Sequence, residues 1–199
     1  EEELSAGARK VFSNIRDATG SLKNLVADIL DVARLEGGTI RLRVRPSDVL
    51  PPIDNAIKTI LPMAQQKNVT ITFFDRDTIK VLPPIVGDSD RLQEVFTNII
   101  GNAVKYNRDG GEVSIFIKPR EKFLDVVIRD TGVGISKEEL EKVFMKFWRA
   151  NPEIEGTGLG LAIVRQIVDQ HGGTIRLAEG RAGGAQFIVS LPVAELAPG

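Results

Sequence analysis

Cysteine is absent from this chain, and histidine, tryptophan and tyrosine occur once each. The absence of cysteine excludes disulfides, thiolate metal sites and a cysteine nucleophile. No charge sign dominates: 26 Lys plus Arg stand against 27 Asp plus Glu, and a net charge of −1 gives no field to attract nucleic acid or anionic lipid. No apolar run approaches the roughly 18 residues of a membrane span, and the acidic start over 1–3 has the wrong sign for a signal peptide. We therefore expect no nucleic-acid or membrane contact from this segment.

The first part of the chain predicts one long amphipathic helix that ends at Gly37-Gly38. Its apolar residues recur in alternate steps of four and three, which is a heptad seam: Val11, Ile15, Ala18, Leu22, Leu25, Ile29 and Val32. Such a helix gains most of its stability from packing. Its partner must come from another chain, from the rest of this chain or from a missing segment.

The remaining sequence predicts a two-layer α/β sandwich with a mainly antiparallel sheet. Ser47-Asp48 is expected to cap a helix running to about residue 67, kinked at Pro62. The other predicted helices span 88–106, 136–142 and 159–171. The predicted strands span 39–44, 69–74, 81–86, 112–118, 123–129, 174–178 and 185–191.

The helix predicted over 88–106 carries polar residues on a face of its own. Glu94, Asn98, Asn102 and Tyr106 recur at i, i+4 spacing, with Lys105 beside them. Asparagine is a mediocre helix former, and its amide oxygen suits a Mg²⁺ ion that also carries phosphate oxygens. The simpler alternative is the solvated side of an amphipathic helix.

Asp130 ends a strand and begins an Asp-x-Gly-x-Gly turn through Gly132 and Gly134. A carboxylate can accept a hydrogen bond from an exocyclic amine such as that of adenine, and glycines let backbone approach a flat ring. The alternative is an Asx turn at a strand end.

Gly156, Gly158 and Gly160 precede the helix over 159–171, and a helix N-terminus favours phosphate. A dinucleotide fingerprint is excluded because its third glycine would fall at Leu161, and because no strand leads in over 148–155. A lid loop without a ligand is the other alternative.

Together these three elements resemble the ATP site of the GHKL superfamily, and in detail that of sensor histidine kinases, over about residues 38–192. The resemblance implies a Bergerat-type ATP-binding fold with helices on one face of the sheet. Residues 144–149 look like the family's phenylalanine box, with Trp148 where tyrosine is commoner, and 183–187 look like its closing strand. The nucleotide-binding residues implied are Asn98, Asn102, Lys105, Tyr106, Asp130, Gly132, Gly134, Ile135, Phe147, Arg149, Gly156, Thr157, Gly158, Leu159, Gly160 and Leu161.

The resemblance also implies roles. Asn102 stands at the metal position, Lys105 faces phosphate and Asp130 reads adenine. The catalytic set implied is Glu94, Asn98 and Lys105, and the sequence does not decide whether Glu94 or Asn98 orients the acceptor imidazole.

The N-terminal helix resembles the second helix of the family's dimerisation and phosphotransfer bundle, but the first helix, which bears the acceptor histidine, is absent. The sole histidine, His171, stands at a helix end in a His-Gly-Gly stop, so we expect it to be structural. The implied domains are a partial dimerisation helix (1–37), an ATP-binding catalytic domain (38–193) and a tail (194–199).

The reaction implied is transfer of the ATP γ-phosphoryl group, with Mg²⁺, to a histidine on a separate helix. The implied partners are that acceptor helix, a response-regulator receiver domain and a second copy of the chain in a weak homodimer through residues 11–32. We expect a cytoplasmic location, alone or as the cytosolic part of a membrane-anchored sensor. Two alternatives remain: a GHKL ATPase, and a non-catalytic nucleotide-binding or scaffolding module.

Overall fold

The computed structural model describes residues 42–74, 76, 81–151, 156–180 and 183–194, with residues 7, 8, 11, 12, 15, 19, 20 and 26 of the N-terminal segment. In chain order the elements are β1 (Arg45–Ser47), α1 (Leu50–Gln66), β2 (Thr70–Phe73), β3 (Ile85–Gly87), α2 (Ser89–Lys105), β4 (Glu112–Pro119), β5 (Phe123–Asp130), α3 (Lys137–Leu140), α4 (Gly160–Gln170), β6 (Thr174–Glu179) and β7 (Ala185–Pro192).

Five strands form one sheet in the order β2-β4-β5-β7-β6, and β1 and β3 form a separate antiparallel pair. In the large sheet β2 runs parallel to β4, and each of the other neighbouring pairs is antiparallel. The β4–β5 connection is short, and Arg120 N donates to Phe123 O across it at 2.7 Å. The prediction of a mixed, mainly antiparallel sheet is therefore confirmed.

Helices α1, α2 and α4 cover one face of this sheet. Alternate residues of the central strand β5, namely Leu124, Val126 and Ile128, share one buried apolar cluster with the helices. The predicted core face of α2 is buried as its 3.6-residue period requires: Leu92, Val95, Phe96, Ile99, Ile100 and Ala103. The predicted two-layer sandwich is confirmed. Because it buries the apolar face of α2, the polar side chains of this helix lie on the face turned away from the sheet.

The opposite face of β5 buries a second set of side chains. Asp125 on that face is 2% exposed and accepts a 2.7 Å hydrogen bond from the Ser190 hydroxyl. The Arg120 guanidinium lies 2.7 Å from the other Asp125 oxygen. This carboxylate belongs to the fold, since both of its oxygens are engaged by neighbouring strands and turns.

The start of the domain differs from the prediction. The strand lies at Arg45–Ser47 instead of 39–44, because β3 offers it only three partners; residues 42–44 lie outside any strand and 39–41 fall outside the described residues. Ser47 therefore ends β1 and bonds Gly87 O, and Val49 is the N-cap of α1. The strand predicted over 81–86 shortens to β3, since Pro83 and Pro84 have no N–H to donate.

The heptad seam over 11–32 and its glycine stop fall mostly outside the described residues, as does the boundary at 37–38. The described N-terminal residues are helical, and Val11, Ile15 and Val26 are each about half exposed. At the other end, Val193 bridges to Ile85 and Ala194 is buried, so the fold continues into the predicted tail; 195–199 are not described. Among the described residues, no helix combines the length and apolarity that crossing a membrane requires.

Candidate functional site

A cavity of about 1070 Å³ opens between α2, the end of β5 and the segments on either side of 152–155. Most of the residues implied by the resemblance line it together: Asn98, Asn102, Lys105, Tyr106, Asp130, Gly134, Ile135, Arg149, Gly156, Thr157, Gly158, Gly160 and Leu161. Four implied residues are not among its lining: Glu94, Gly132, Phe147 and Leu159. The fold thus assembles predicted site residues that are up to 63 residues apart in the chain, from 98 to 161, around one cavity.

Helix α2 supplies the polar wall. Its N-cap is Asp88, whose Oδ1 accepts from Asp90 N at 3.1 Å and Arg91 N at 3.3 Å. With the apolar face buried, Asn98 and Asn102 face the cavity one turn apart. The amide of Asn98 is held in place, because its Nδ2 donates to Glu94 O at 3.1 Å.

Glu94 lies one turn before Asn98 and outside the cavity lining. Its carboxylate pairs with the guanidinium of Arg91 at 2.7 Å, along the same helix. Of the two candidates for orienting an acceptor, the structure therefore brings Asn98 and not Glu94 to the cavity wall.

The opposite wall holds Asp130, which is 6% exposed at the end of β5. Its Oδ1 accepts hydrogen bonds from Gly132 N at 2.9 Å and Ala185 N at 3.1 Å. Burial raises the pKa of the Asp130 carboxyl, and these two backbone donors act in the opposite direction. Because both donors go to Oδ1, the carboxylate is oriented by backbone alone.

Glycines around Asp130 let main-chain segments approach each other more closely than a side chain would allow. A Cβ at Gly132 would lie 2.4 Å from Tyr106 O, and one at Gly134 would lie 2.1 Å from Gly183 O. A Cβ at Gly184 would lie 2.0 Å from Asp130 O. Gly132 therefore does not line the cavity. It lets the turn after Asp130 pack against the main chain at the end of α2.

A buried hydrogen-bond network, which the sequence did not reveal, fastens the same turn. Asn107 is 5% exposed; its Nδ2 donates to Glu112 O at 3.0 Å, and its Oδ1 accepts from the Thr131 hydroxyl at 3.2 Å. The Thr131 hydroxyl oxygen in turn accepts from Glu112 N at 2.9 Å. The network ties the residue after Asp130 to the loop that leaves α2. In the sequence, the only signal for Asn107 and Thr131 is that each stands directly beside one of the motifs.

The glycine-rich turn is anchored outside the cavity. Gly158 has φ of 72°, and Phe147 N donates to Gly158 O at 2.9 Å. Phe147 is 66% exposed and Leu159 is fully buried in the core, so these two hold the turn and do not line the cavity. A Cβ at Gly156 would lie 3.0 Å from Lys105 Nζ, so this ammonium faces the turn.

His171 is 4% exposed at the C-cap of α4. Its Nδ1 lies 2.7 Å from Ile167 O, and its Nε2 accepts from Asp88 N at 2.9 Å. Both ring nitrogens are thus engaged by backbone, as expected of a structural histidine.

The cavity also has lining residues outside the predicted set. They are Thr97, Ala103, Val133, Ser136, Glu139, Val143, Trp148, Ala150, Asn151, Glu179, Gly183, Ala185 and Phe187. Ser136 and Glu139 form the capping box that begins α3, a local signal which marks the helix but not its orientation.

Residues 87–195, more than half of the chain, match the family described as histidine kinase-, DNA gyrase B-, and HSP90-like ATPase. The chain belongs to this family. The resemblance to sensor histidine kinases is likewise confirmed by the individual relatives.

The signal transduction histidine-protein kinase BaeS of Escherichia coli (strain K12) is 30% identical over 200 residues, covering 96% of this chain and 42% of BaeS. The crystal structure of full-length ShkA in complex with AMPPNP has a TM-score of 0.81 at 28% identity, covering 99% of this chain and 41% of ShkA. ThkA, solved in complex with the response regulator protein TrrA, has a TM-score of 0.73 at 21% identity, covering 97% of this chain and 53% of ThkA; this likeness shows the fold alone. The chain thus spans less than half the length of BaeS and of ShkA.

Proposed function

We propose that this chain binds ATP with Mg²⁺ and transfers the γ-phosphoryl group to a histidine on a separate helix, as the catalytic part of a two-component sensor histidine kinase. One observation carries the proposal: a backbone-oriented buried carboxylate and two helical asparagines line one cavity of about 1070 Å³. That volume is slightly above the range of about 300–1,000 Å³ that is typical of small-molecule sites, so a ligand the size of a nucleotide has room. ShkA was solved with the ATP analogue AMPPNP.

In this proposal Asp130 accepts a hydrogen bond from the adenine amine. Its Oδ1 already holds the Gly132 and Ala185 N–H groups, and this leaves Oδ2 for the base. Gly134 and Ile135 line the cavity beside it and would contact the ring. A ring with a carbonyl in place of the amine would present an acceptor to an acceptor, so the site would favour adenine over guanine.

The phosphates lie toward α2 and the glycine-rich turn. Lys105 would neutralise phosphate charge, and the N-terminus of α4 at Gly160 would offer unpaired N–H groups. Asn102 would hold Mg²⁺ through its amide oxygen; the single protein ligand suits an ion that keeps water and phosphate oxygens. Bound there, Mg²⁺ would neutralise charge on the transferring phosphoryl group.

The acceptor imidazole would have to enter beside Asn98. We propose Asn98 as the residue that orients the acceptor, because it lines the cavity while Glu94 pairs with Arg91. Asn98→Ala and Glu94→Gln separate the two roles. Asn98→Ala should slow transfer more than it weakens nucleotide binding, whereas Glu94→Gln should leave transfer within about threefold of wild type, a difference under 1 kcal/mol. The reverse order would move the role to Glu94.

The test of the whole proposal is an assay with γ-labelled ATP. The chain alone should not label itself, because its sole histidine is buried with both nitrogens engaged. Supplied with an acceptor helix that bears a histidine, it should label that helix slowly, since bimolecular docking loses the proximity of an intact kinase. The label should be acid-labile and base-stable, and Asn102→Ala should abolish it.

Other outcomes would favour the alternatives. Acid-stable self-labelling would point to a hydroxyl acceptor. Rapid phosphate release without labelled protein would favour an ATPase, although in those relatives a glutamate general base stands at the position of Asn98. Nucleotide binding with neither transfer nor hydrolysis would favour a scaffolding module.

Partners and location belong to the same proposal. The proposed partners are an acceptor-histidine helix, a response-regulator receiver domain and a second copy through residues 11–32. Polar substitutions at Leu22 and Ile29 should abolish a dimer seen by sedimentation, and a dimer that survives them would place the interface elsewhere. A cytoplasmic location stays a prediction from the sequence.

A further inference from the structure

We call the region where Asn98, Asn102 and Lys105 face the turn 156–160 the phosphate side, after the proposed function. The two helices that flank it, α2 and α4, approach each other at a glycine near the start of α4 and through a hydrogen bond at its end. At the start of α4, a Cβ on Gly160 would lie 2.7 Å from Asn98 Oδ1, so the amide rests on this glycine. At the end of α4, His171 Nε2 accepts from Asp88 N at 2.9 Å. The start of α4 lies beside the middle of α2, and the end of α4 lies beside the start of α2. The two helices therefore run antiparallel.

Between these contacts the interface is apolar. Leu92, Val95 and Ile99 of α2 belong to the same buried cluster as Ile163, Val164 and Ile167 of α4. Apolar burial is non-directional, so it holds the helices together without strongly fixing their position along the axis. A hydrogen bond between fixed backbone and a buried ring is directional and supplies that position.

The imidazole of His171 is held in one tautomer. Ile167 O, 2.7 Å from Nδ1, can only accept, so Nδ1 carries the proton and Nε2 is left as the acceptor for Asp88 N. The ring fits against Gly87, where a Cβ would lie 3.4 Å from His171 Cδ2 and 2.7 Å from Leu92 Cδ1. A glycine before Asp88 therefore gives the ring and Leu92 their room.

We infer that His171 is a positioning residue: its hydrogen bond to Asp88 N fixes the axial position of α4 against α2. Through α4 it sets where the turn 156–160 stands opposite Asn98 and Asn102. The sole histidine of this chain would thus serve phosphoryl transfer by placing the phosphate side, without touching substrate. The inference rests on the proposed nucleotide site for its functional consequence, and its geometric part can be tested separately.

Two substitutions at one position separate the hydrogen bond from the rest of the side chain. His171→Asn keeps an amide that reaches Ile167 O but is too short for Asp88 N. His171→Gln places an amide oxygen near the position of Nε2 and restores the acceptor. His171→Phe keeps the ring volume without the acceptor, and it controls for the space that Asn leaves.

The first readout is direct. Because the chain has no cysteine, cysteines introduced at the exposed positions Asp90 and Arg165 can carry two spin labels, whose separation reports the position of α4 against α2. His171→Asn and His171→Phe should shift or broaden the distance distribution, and His171→Gln should retain it. The second readout is Mg²⁺–ADP affinity, where a displacement of about 1 Å would cost roughly 10- to 100-fold in Asn and Phe, with Gln within about threefold of wild type.

The outcomes divide cleanly. Unchanged distances and affinity in the Asn and Phe variants, with only a lower melting temperature, would overturn the inference and leave a purely structural histidine. Equal losses in Asn, Phe and Gln would also overturn it, since the acceptor would then not matter. If one of the acceptor-less variants fails to fold, the other decides. If wild type binds no nucleotide, the proposed function fails, while the spin-label distances still test the position of α4.

Discussion

The cavity has two sides, named here for the proposed function: a base side around Asp130 and a phosphate side along α2 and the turn 156–160. They are built in different ways. On the base side, backbone meets backbone: Gly134 and Gly184 leave no room for a Cβ, and Asp130 is oriented by two main-chain N–H groups. On the phosphate side, side chains from one helix project into the space, with Asn98, Asn102 and Lys105 as the main contributors. The base side can therefore change shape only by moving main chain, whereas the phosphate side has groups that can move by a rotamer change.

This difference follows from the elements that supply each side. The base side lies where β5 ends beside β7, and strands in one sheet are held at a fixed spacing by their ladder. The phosphate side lies on the half-buried polar stripe of α2, where side chains are separated by a turn. Substitutions on the base side should thus act by displacing backbone, and those on the phosphate side by removing one ligand at a time.

The largest expected effect is that of Gly184→Ala. The added Cβ would lie 2.0 Å from Asp130 O and 2.7 Å from its carbonyl carbon, so the main chain must move. A displacement of about 1 Å can cost roughly 100-fold, and we expect at least that loss of Mg²⁺–ADP affinity by calorimetry, in protein checked for folding by circular dichroism.

Two matched glycines sharpen this result. A Cβ at Gly160 would meet only the Asn98 amide, at 2.7 Å. That side chain can rotate away if it gives up its hydrogen bond to Glu94 O, so Gly160→Ala should lose less affinity than Gly184→Ala. A Cβ at Gly101 would lie 3.4 Å from Ile60 Cδ1; Gly101→Ala should bind normally and gain up to about 1 kcal/mol of stability from helix propensity. Equal losses of nucleotide affinity in Gly184→Ala and Gly160→Ala would contradict the proposed difference between the base side and the phosphate side.

Second in size is Asp130→Asn. Its Oδ1 can keep both backbone bonds, but the amide nitrogen then presents a donor to the adenine amine. An unsatisfied buried pair costs about 1–3 kcal/mol, or roughly 5- to 150-fold in affinity. Asp125→Asn is the matched control: the same strand carries it on the opposite face, so it should lower the free energy of unfolding and leave nucleotide affinity unchanged. Wild-type affinity in Asp130→Asn would remove the adenine role.

Local sequence patterns were enough to predict much of this site. The helix period of Leu92, Val95 and Ile99 predicts which face of α2 is buried, and so which face carries the asparagines. The Asp-Thr-Gly turn and the glycine-rich turn predict backbone approach without reference to distant residues.

What the sequence did not reveal depends on contacts between distant segments. Asp88 and His171 are 83 residues apart, and nothing near either predicts their hydrogen bond. Gly184 is required by a carbonyl 54 residues earlier in the chain, at Asp130. The predicted position of β1 was wrong for the same reason. Its pairing with β3, and not the alternation of apolar and polar residues in its own sequence, decides which residues form the strand.

A smaller effect on nucleotide affinity is expected from Asn102→Ala, which removes one proposed metal ligand from the phosphate side. ADP affinity with Mg²⁺ should fall about tenfold, or 1.4 kcal/mol, while affinity in EDTA should stay near wild type. Asn55→Ala on α1 is the control, since Asn55 is exposed and its amide bonds Gln93 outside the cavity lining. An equal loss with and without metal would assign Asn102 to the nucleotide itself.

The smallest effect on binding is expected from Asp88→Ala. Burial raises the pKa of the Asp88 carboxyl, but hydrogen bonds from the backbone of Arg43, Arg91 and Asp90 outweigh it, and the folded pKa lies below 3.8. Losing this cap should cost about 1 kcal/mol of unfolding free energy. Because the folded pKa is depressed, that contribution is fully present above pH 3.8 and is lost as pH falls through the folded pKa, so urea melts of wild type and variant should converge there.

Nucleotide affinity should change less than about twofold, under 0.5 kcal/mol, because alanine keeps the backbone N–H that His171 accepts. Asp90→Ala is the matched control: its side chain also stands in the first turn of α2 but is not the N-cap, so it should cost only a few tenths of a kcal/mol. A tenfold loss of affinity in Asp88→Ala would contradict this. The phosphate side would then extend to the start of α2 and depend on the whole helix, as the base side depends on its strands.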